Sequence, residues 1–228
     1  MQDPNLLTTA RLMHHLNQQM KIIFNLRHPV ERMWSAIRFS LKIRSVQWAE
    51  NTGNDNFLHA ENTSLVDFTE VTERMIQIAI ETWEICLEKY GIRQCAFAKY
   101  ITQVNPALKD LDPDWCHTFI NALRYSIYYI YIQEFLEYFP EDNILLVSLD
   151  NLAQDPMKML KESICPFLGL SPNIYPSSLR KYDRISNINR LVTYEIPKHI
   201  YDMISNFLRP YTFKINYLMV SNQIDIWK

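Results

Sequence analysis

Residues 21–38 read Lys-Ile-Ile-Phe-Asn-Leu-Arg-His-Pro-Val-Glu-Arg-Met-Trp-Ser-Ala-Ile-Arg. The first six are rich in branched or aromatic residues with little alternation, the pattern of a strand buried on both faces of a parallel sheet. Pro29 then suits the first turn of a helix, which the spacing carries from Val30 to about Ile43. Arg27 therefore falls at the carboxyl end of a strand, beside the open N–H groups of a helix start. Open α/β sheets bind ligands at that edge, and both features favour an anion. Ser35 follows eight residues later, about two turns into the helix, where its hydroxyl can face the same ligand. A guanidinium fork with a hydroxyl suits a phosphate monoester. The competing reading has Arg27 paired with a carboxylate such as Glu31, and Ser35 merely packing.

The same strand-to-helix grammar recurs. Asn143–Leu149 (NILLVSL) reads as a second buried strand, Pro156 opens a helix to about Phe167, and Gly169 is its stop signal. Residues 5–19 read as a helix leading into the first strand. The middle is helical: 64–90 places Val71, Met75, Ile78, Ala79, Trp83 and Leu87 at helical spacing. Residues 115–138 carry Trp115, Phe119, Tyr125, Tyr128, Tyr129, Tyr131, Phe135 and Tyr138, an aromatic set expected to pack as core. Two helices fit near 197–208 and 211–221. The stretch from Ser171 to Glu195 is polar, irregular and long enough for a functional loop. Strands alternating with helices make this an α/β chain.

Composition narrows the chemistry. Only three glycines occur in 228 residues, at 53, 91 and 169, against roughly 16 at the usual frequency. That excludes the clustered-glycine phosphate loops and argues against a turn-rich sandwich or propeller. With 48% apolar and 13% aromatic residues the chain is folded, long enough for one large domain. The net charge of −2 offers no global field for nucleic acid or an anionic membrane, so any anion site is local. No window has 18 consecutive apolar residues, and 1–20 lacks the pattern of a signal peptide. No metal-site spacing occurs among the Cys and His residues. Cys86 and Cys95 flank the turn at Gly91, close enough to bridge in an oxidising compartment or to remain half-buried thiols. Asn62-Thr63-Ser64 is an N-glycosylation triplet of the kind that also arises by chance.

Arg27-His28-Pro29-Val30-Glu31-Arg32-Met33-Trp34-Ser35 resembles the R-x-P-x-x-R-x-x-S element of sulfotransferases. In that family the first Arg and the Ser hold the 3′-phosphate of the donor, 3′-phosphoadenosine 5′-phosphosulfate (PAPS). Further segments follow in order. Tyr128 to Leu152, with Phe139-Pro140 before Ile144–Val147, is similar to the family's helix, F-P turn and strand. Asp155-Pro156 with Phe167-Leu168-Gly169-Leu170 resembles the segment after it. Phe207-Leu208-Arg209-Pro210-Tyr211, then Asn216, Leu218 and Trp227, resembles the ending of Golgi carbohydrate sulfotransferases. Cys86, Gly91–Cys95 and Ser186-Asn187-Ile188-Asn189-Arg190 look most like the branch containing N-acetylgalactosamine 4-sulfate 6-O-sulfotransferase, a chondroitin sulfate enzyme. By resemblance, Ser186, Asn187 and Arg190 are further donor contacts; the competing reading is a loop-stabilising Asn and a solvated Arg.

The resemblance implies a P-loop-like α/β fold, a short parallel sheet flanked by many helices, forming one sulfotransferase domain over 1–228. It implies sulfuryl transfer from PAPS to a hydroxyl of a chondroitin- or dermatan-type glycosaminoglycan, without a metal, in the Golgi lumen as part of a type II membrane protein. The acceptor is then a sulfated polysaccharide, with no nucleic-acid or membrane contact from this segment. The family's P-K-x-G-T-T loop, which grips the 5′-phosphosulfate, and its catalytic Glu or His precede the R-x-P-x-x-R-x-x-S element. Neither is present in residues 1–26. The first strand, that loop and the catalytic residue are therefore expected upstream of Met1, and the 228 residues are expected to be a truncated, inactive fragment. The alternative is a non-catalytic nucleotide-binding or interaction protein of the same ancestry. His14 and His15 lie on the leading helix and receive no catalytic role; His59 and His117 are read as ordinary core or surface residues. Arg38, Lys42, Arg44 and Lys99 either line a cleft for an anionic polymer or belong to solvated helix faces.

Overall fold

In a computed structural model of the chain, the 21–26 run is strand β1 (Ile22–Leu26) and the 143–149 run is strand β2 (Ile144–Ser148). They pair in parallel, from Ile22 opposite Ile144 to Leu26 opposite Ser148. The structure describes residues 8–52, 65–98, 101–109, 113–171 and 196–218. These fall into two compact units.

The first unit holds the sheet, with helix α1 (Thr9–Leu16) before it and helices α7 (Leu149–Gln154), α8 (Pro156–Met159) and α9 (Cys165–Leu168) after it. All five β2 residues are buried, as expected for a strand covered on both faces. In β1 only Ile22 and Leu26 are buried, while Ile23 and Asn25 are exposed, so two-faced burial fails there. The reason lies in composition: a polar Asn25 in the run marks a one-faced strand, whereas β2 has no polar residue before Ser148.

Helix α1 is shorter than the 5–19 reading. Thr8 caps it, its hydroxyl accepting from the Arg11 N–H at 3.3 Å and donating to buried Glu134 at 2.7 Å. Asn17 is already extended and ends it. The expected helix over 156–167 forms with a π turn at Leu160–Ile164. Pro166 lacks the N–H that the α register needs at that point, and the wider turn absorbs the break. Asp155 caps the start, accepting from the Lys158 N–H at 2.9 Å. Gly169, at φ 71°, closes the end, with Leu170 N–H bonded to the Cys165 carbonyl at 2.8 Å. That left-handed position is the glycine's usual place after a helix.

The second unit is helical: α2 (Pro29–Thr52), α3 (Leu65–Tyr90), α4 (Ile92–Phe97), α5 (Pro113–Arg124), the start of α6 (Tyr128–Leu136) and most of α10 (Lys198–Leu218). Its core gathers Met33 and Ile37 from α2, Ile76, Ala79 and Trp83 from α3, Phe119, Ile120 and Leu123 from α5, and Ile200, Ile204 and Leu208 from α10. The buried stripe of α3 runs Thr72, Met75, Ile76, Ala79, Thr82, Trp83, Cys86; Val71, expected inside, is 49% exposed. Helix α2 runs nine residues beyond the expected Ile43.

Cys86 and Cys95 are joined by a disulfide across the Gly91 turn, and Cys116 and Cys165 are buried free thiols. The two helices expected near the carboxyl terminus are one, α10, with Pro210 inside it. Only one main-chain bond is lost at a proline. Tyr211 accepts from Trp83 Nε1–H at 3.1 Å, and Leu208 and Ile215 are buried on either side of Pro210, which holds both halves in place. No helix among the described residues is long and apolar enough to cross a membrane.

Candidate functional site

Parallel pairing puts the carboxyl ends of both strands at one edge. Leu26 sits opposite Ser148, so Arg27 leaves the sheet where β2 turns into α7. Ser148 is buried and caps α7, its hydroxyl accepting from the Asn151 N–H at 3.4 Å. Arg27 is half-buried. This is the sheet edge at which α/β proteins take ligands.

Ser35 lies on α2 in the helical unit and is exposed. Between Arg27 and Ser35 the chain enters α2 at Pro29, followed by Glu31 in the first turn. Of the cleft candidates, Arg38 is half-buried, whereas the side chains of Lys42 and Arg44 lie outside the described residues. Ser186, Asn187, Arg190, Asn62, His59 and Lys99 also lie outside the described residues. So does Met1, the point before which the catalytic residue is expected, and the described residues begin at Thr8.

Two arginines to which the sequence assigned no role, Arg32 and Arg124, gather around Tyr125 in the helical unit. Arg32 Nη1 donates to the Ala122 carbonyl at 2.8 Å and the Ser126 hydroxyl at 3.2 Å. Arg124, 8% exposed, donates through Nη1 to the Ala98 carbonyl at 2.6 Å and through Nη2 to the Tyr125 phenol at 3.1 Å. Both guanidinium carbons lie over the Tyr125 ring, at 5.6 Å and 4.9 Å. Burial lowers the Arg32 pKa, against the opposing influence of the nearby phenols of Tyr128, Tyr131 and Tyr125. Burial likewise raises the Tyr131 pKa well above the usual phenol range, against the pull of Arg124 and Arg32. Tyr131 donates to the Ala96 carbonyl at 3.2 Å and stays neutral.

The aromatic set thus divides. Phe119 is core, as expected, but Tyr125 is 42% exposed and serves as a platform for cations. The signal was in the sequence, since Arg124-Tyr125 abuts a break between helices, but its pairing with Arg32 spans about 90 positions. His14 packs edge-on against Phe139, ring centres 5.5 Å apart, and tilted against Tyr138 at 5.8 Å. No group of three or more His, Cys, Asp or Glu side chains able to hold a metal occurs among the described residues.

Comparison with known proteins gives the family. Residues 1–204 match the model of the sulfotransferase domain, and the chain belongs to that family. Over 165 residues it is 24% identical to carbohydrate sulfotransferase 15 of Mus musculus and 23% identical to that of Rattus norvegicus. These matches cover 72% of this chain and 23% of each relative, so the chain spans under a quarter of their length. Among solved structures, the sulfotransferase from Alicyclobacillus acidocaldarius superposes with a TM-score of 0.52 at 17% identity, covering 93% of this chain and 59% of that one. The fold is the sulfotransferase fold, helix-rich with a short parallel two-stranded sheet among the described residues.

Proposed function

We propose that this sulfotransferase-family chain holds the 3′-phosphate end of PAPS and belongs to an enzyme that sulfates a hydroxyl of a chondroitin- or dermatan-type glycosaminoglycan. The observation that carries the reading is the strand–Arg27–Pro29–helix unit at the carboxyl edge of a parallel sheet, inside a family match over 1–204. By the family resemblance the Arg27 guanidinium and the Ser35 hydroxyl, which is exposed, are the contacts to the phosphate. A doubly charged phosphate monoester is the ligand that such donor types suit. Ser186, Asn187 and Arg190 would add a second cation and amide donors from the 171–195 stretch. The glycosaminoglycan acceptor is supported by similarity to carbohydrate sulfotransferase 15. A lumenal Golgi setting is supported by the Cys86–Cys95 bridge, which forms and persists where thiols are oxidised.

The family mechanism needs a fixed donor, a base for the acceptor hydroxyl, and charge stabilisation at the bridging oxygen. These 228 residues contain no P-K-x-G-T-T segment. Assayed alone, they bind the donor product without turning over PAPS.

Isothermal calorimetry with adenosine 3′,5′-bisphosphate tests this. The chain binds it, and Arg27→Ala weakens binding by about tenfold to a hundredfold, the loss of charge-assisted hydrogen bonds. An absence of binding at millimolar ligand overturns the donor site and leaves an interaction protein of sulfotransferase ancestry. PAPS-dependent sulfation of chondroitin by the 228-residue chain overturns the inactivity.

A further inference from the structure

Helices α2 and α5 lie against each other in the helical unit and leave a cavity of about 370 Å³ between them, within the roughly 300–1,000 Å³ of small-ligand sites. Its walls are two helical stripes: Arg32, Ala36 and Ser40 from α2, and His117, Asn121 and Tyr125 from α5 and the residue just past its end. Each set recurs every four residues, so each is one face of its helix. The alanine leaves the middle of the α2 wall low. His117, read from sequence as an ordinary residue, is half-buried on this wall.

The charge here is unbalanced. Arg32 reaches the cavity with Nη1 bonded to a carbonyl and a hydroxyl, and neither it nor Arg124 forms an ion pair with a described residue. Arg124 Nε is buried without a hydrogen-bond partner among the described residues. Two guanidinium cations therefore share one tyrosine ring, with carbonyls and phenols around them in place of carboxylates. Desolvated cations without counter-ions are costly, and an incoming anion recovers that cost. The rest of the wall suits hydroxyls. The Asn121 amide, the Ser40 hydroxyl and the His117 imidazole can each donate and accept, whereas a bare phosphate would call for donors alone. Tyr125, 42% exposed on this wall although two guanidiniums lie over its ring, leaves apolar ring surface for the C–H side of a pyranose.

We propose that the α2–α5 groove is a subsite for an acidic sugar unit of the glycan acceptor. Arg32 binds its sulfate or carboxylate, Tyr125 takes its ring face, and Ser40, Asn121 and His117 take its hydroxyls. The proposal rests on the reading of the chain as part of a glycan sulfotransferase. It does not use the Arg27–Ser35 donor element.

The test is calorimetry on the 228-residue chain with three hexasaccharides: chondroitin 4-sulfate, unsulfated chondroitin, and a neutral N-acetylglucosamine oligomer. Adenosine 3′,5′-bisphosphate is titrated separately. The acidic hexasaccharides bind and the neutral one binds at least about tenfold more weakly, the loss of one charge-assisted contact. Equal binding of the two acidic ligands assigns the anion as the carboxylate; preference for the sulfated one assigns it as sulfate. Tyr125→Ala and Arg32→Gln each weaken the acidic ligands by about tenfold, while adenosine 3′,5′-bisphosphate affinity shifts less than about twofold. Tyr125 is exposed, so its variant keeps the fold if Arg32→Gln does not. Binding of the neutral oligomer as tight as the acidic ones, unchanged binding by Tyr125→Ala, or equal loss of the bisphosphate each overturns the subsite. If the bisphosphate fails to bind but Tyr125-dependent hexasaccharide binding persists, the donor reading falls and the groove stands. Bisphosphate binding with no hexasaccharide binding overturns the groove and leaves the donor reading standing.

Discussion

Reduction of the Cys86–Cys95 bridge has a calculable consequence. The two cysteines close a loop of sequence separation 9 between α3 and α4, and both are buried, at 1% and 0% exposure. The chain-entropy relation gives a loop of that length about 2.5 kcal/mol of stabilisation, through restriction of the unfolded chain. Reduction deletes no heavy atom from the helical core and so opens no cavity of a missing side chain, which leaves the entropic part dominant. For a chain of this size 1 kcal/mol moves the melting midpoint by about 2–4 °C, so reduction lowers it by roughly 5–10 °C. Differential scanning calorimetry of protein folded under oxidising conditions, with and without dithiothreitol, measures the shift, and Cys86→Ala/Cys95→Ala lowers the midpoint at least as far without reductant, because it also removes two buried sulfurs. The unreduced, denatured protein should show two reactive thiols, Cys116 and Cys165. Four reactive thiols, or a midpoint that moves by less than about 2 °C, refutes the reasoning.

Three further outcomes follow from buried polar groups and one helix. Tyr131 and Tyr211 both have pKa values raised above the usual 10.0, chiefly by burial. Below pH 10 both states hold the protons; above it the unfolded chain releases them and the folded one does not. Stability therefore falls as pH rises past 10, by about 1.4 kcal/mol per pH unit from Tyr131 and a smaller, solvent-screened amount from Tyr211; urea melts from pH 9 to 11 in wild type and Tyr131→Phe should diverge, and identical slopes would refute it. Thr82 donates to the Ile78 carbonyl at 2.7 Å and accepts from the buried Asn105 amide at 2.9 Å. Thr82→Val strands that amide and costs about 1–3 kcal/mol, which Thr82→Ser largely restores, as denaturant midpoints would show. Pro210→Ala returns an N–H to the middle of α10 and raises stability by up to about 3 kcal/mol, read from the same midpoints; a fall would mean the proline sets a bend the core requires.

Much of the fold was legible because local chemistry and tertiary structure agree. Both strands, the Asp155 and Gly169 boundaries and the proline start of α2 are short-range signals of caps, breakers and branched residues. The errors occur where a long-range contact overrides a local rule. Pro210 reads as a stop, yet Trp83, 128 positions from Tyr211, bonds its phenol and the helix continues. Val71 fits the helical spacing, yet the core stripe of α3 is rotated to Thr72, because Thr82 and Cys86 find partners inside. Arg27 and Ser35 could be singled out from their motif. Arg32, in the same motif, gained meaning only from Tyr125 and Asn121, far along the chain.

That difference bears on how the two arginines of the motif divide their work. Arg27 stands at a strand end, half-buried and served by the geometry that α/β folds reserve for ligands. Arg32 stands one helical turn into α2, where an exposed arginine or a leucine would give an equally good helix. Its burial beside Arg124, with two carbonyls and three phenols for company, adds desolvation cost without an ion pair among the described residues to offset it. Carbonyl bonds and the Tyr125 ring make the arrangement tolerable, each cation–ring contact contributing about 0.5–2 kcal/mol. They do not neutralise it. Replacing such a pair with apolar side chains would ordinarily stabilise a core, so stability alone does not account for Arg32 on the wall of an open groove with Arg124 buried behind the same ring. An anion that enters this low-dielectric wall meets charges already fixed in place, and the energy withheld from folding becomes available for binding.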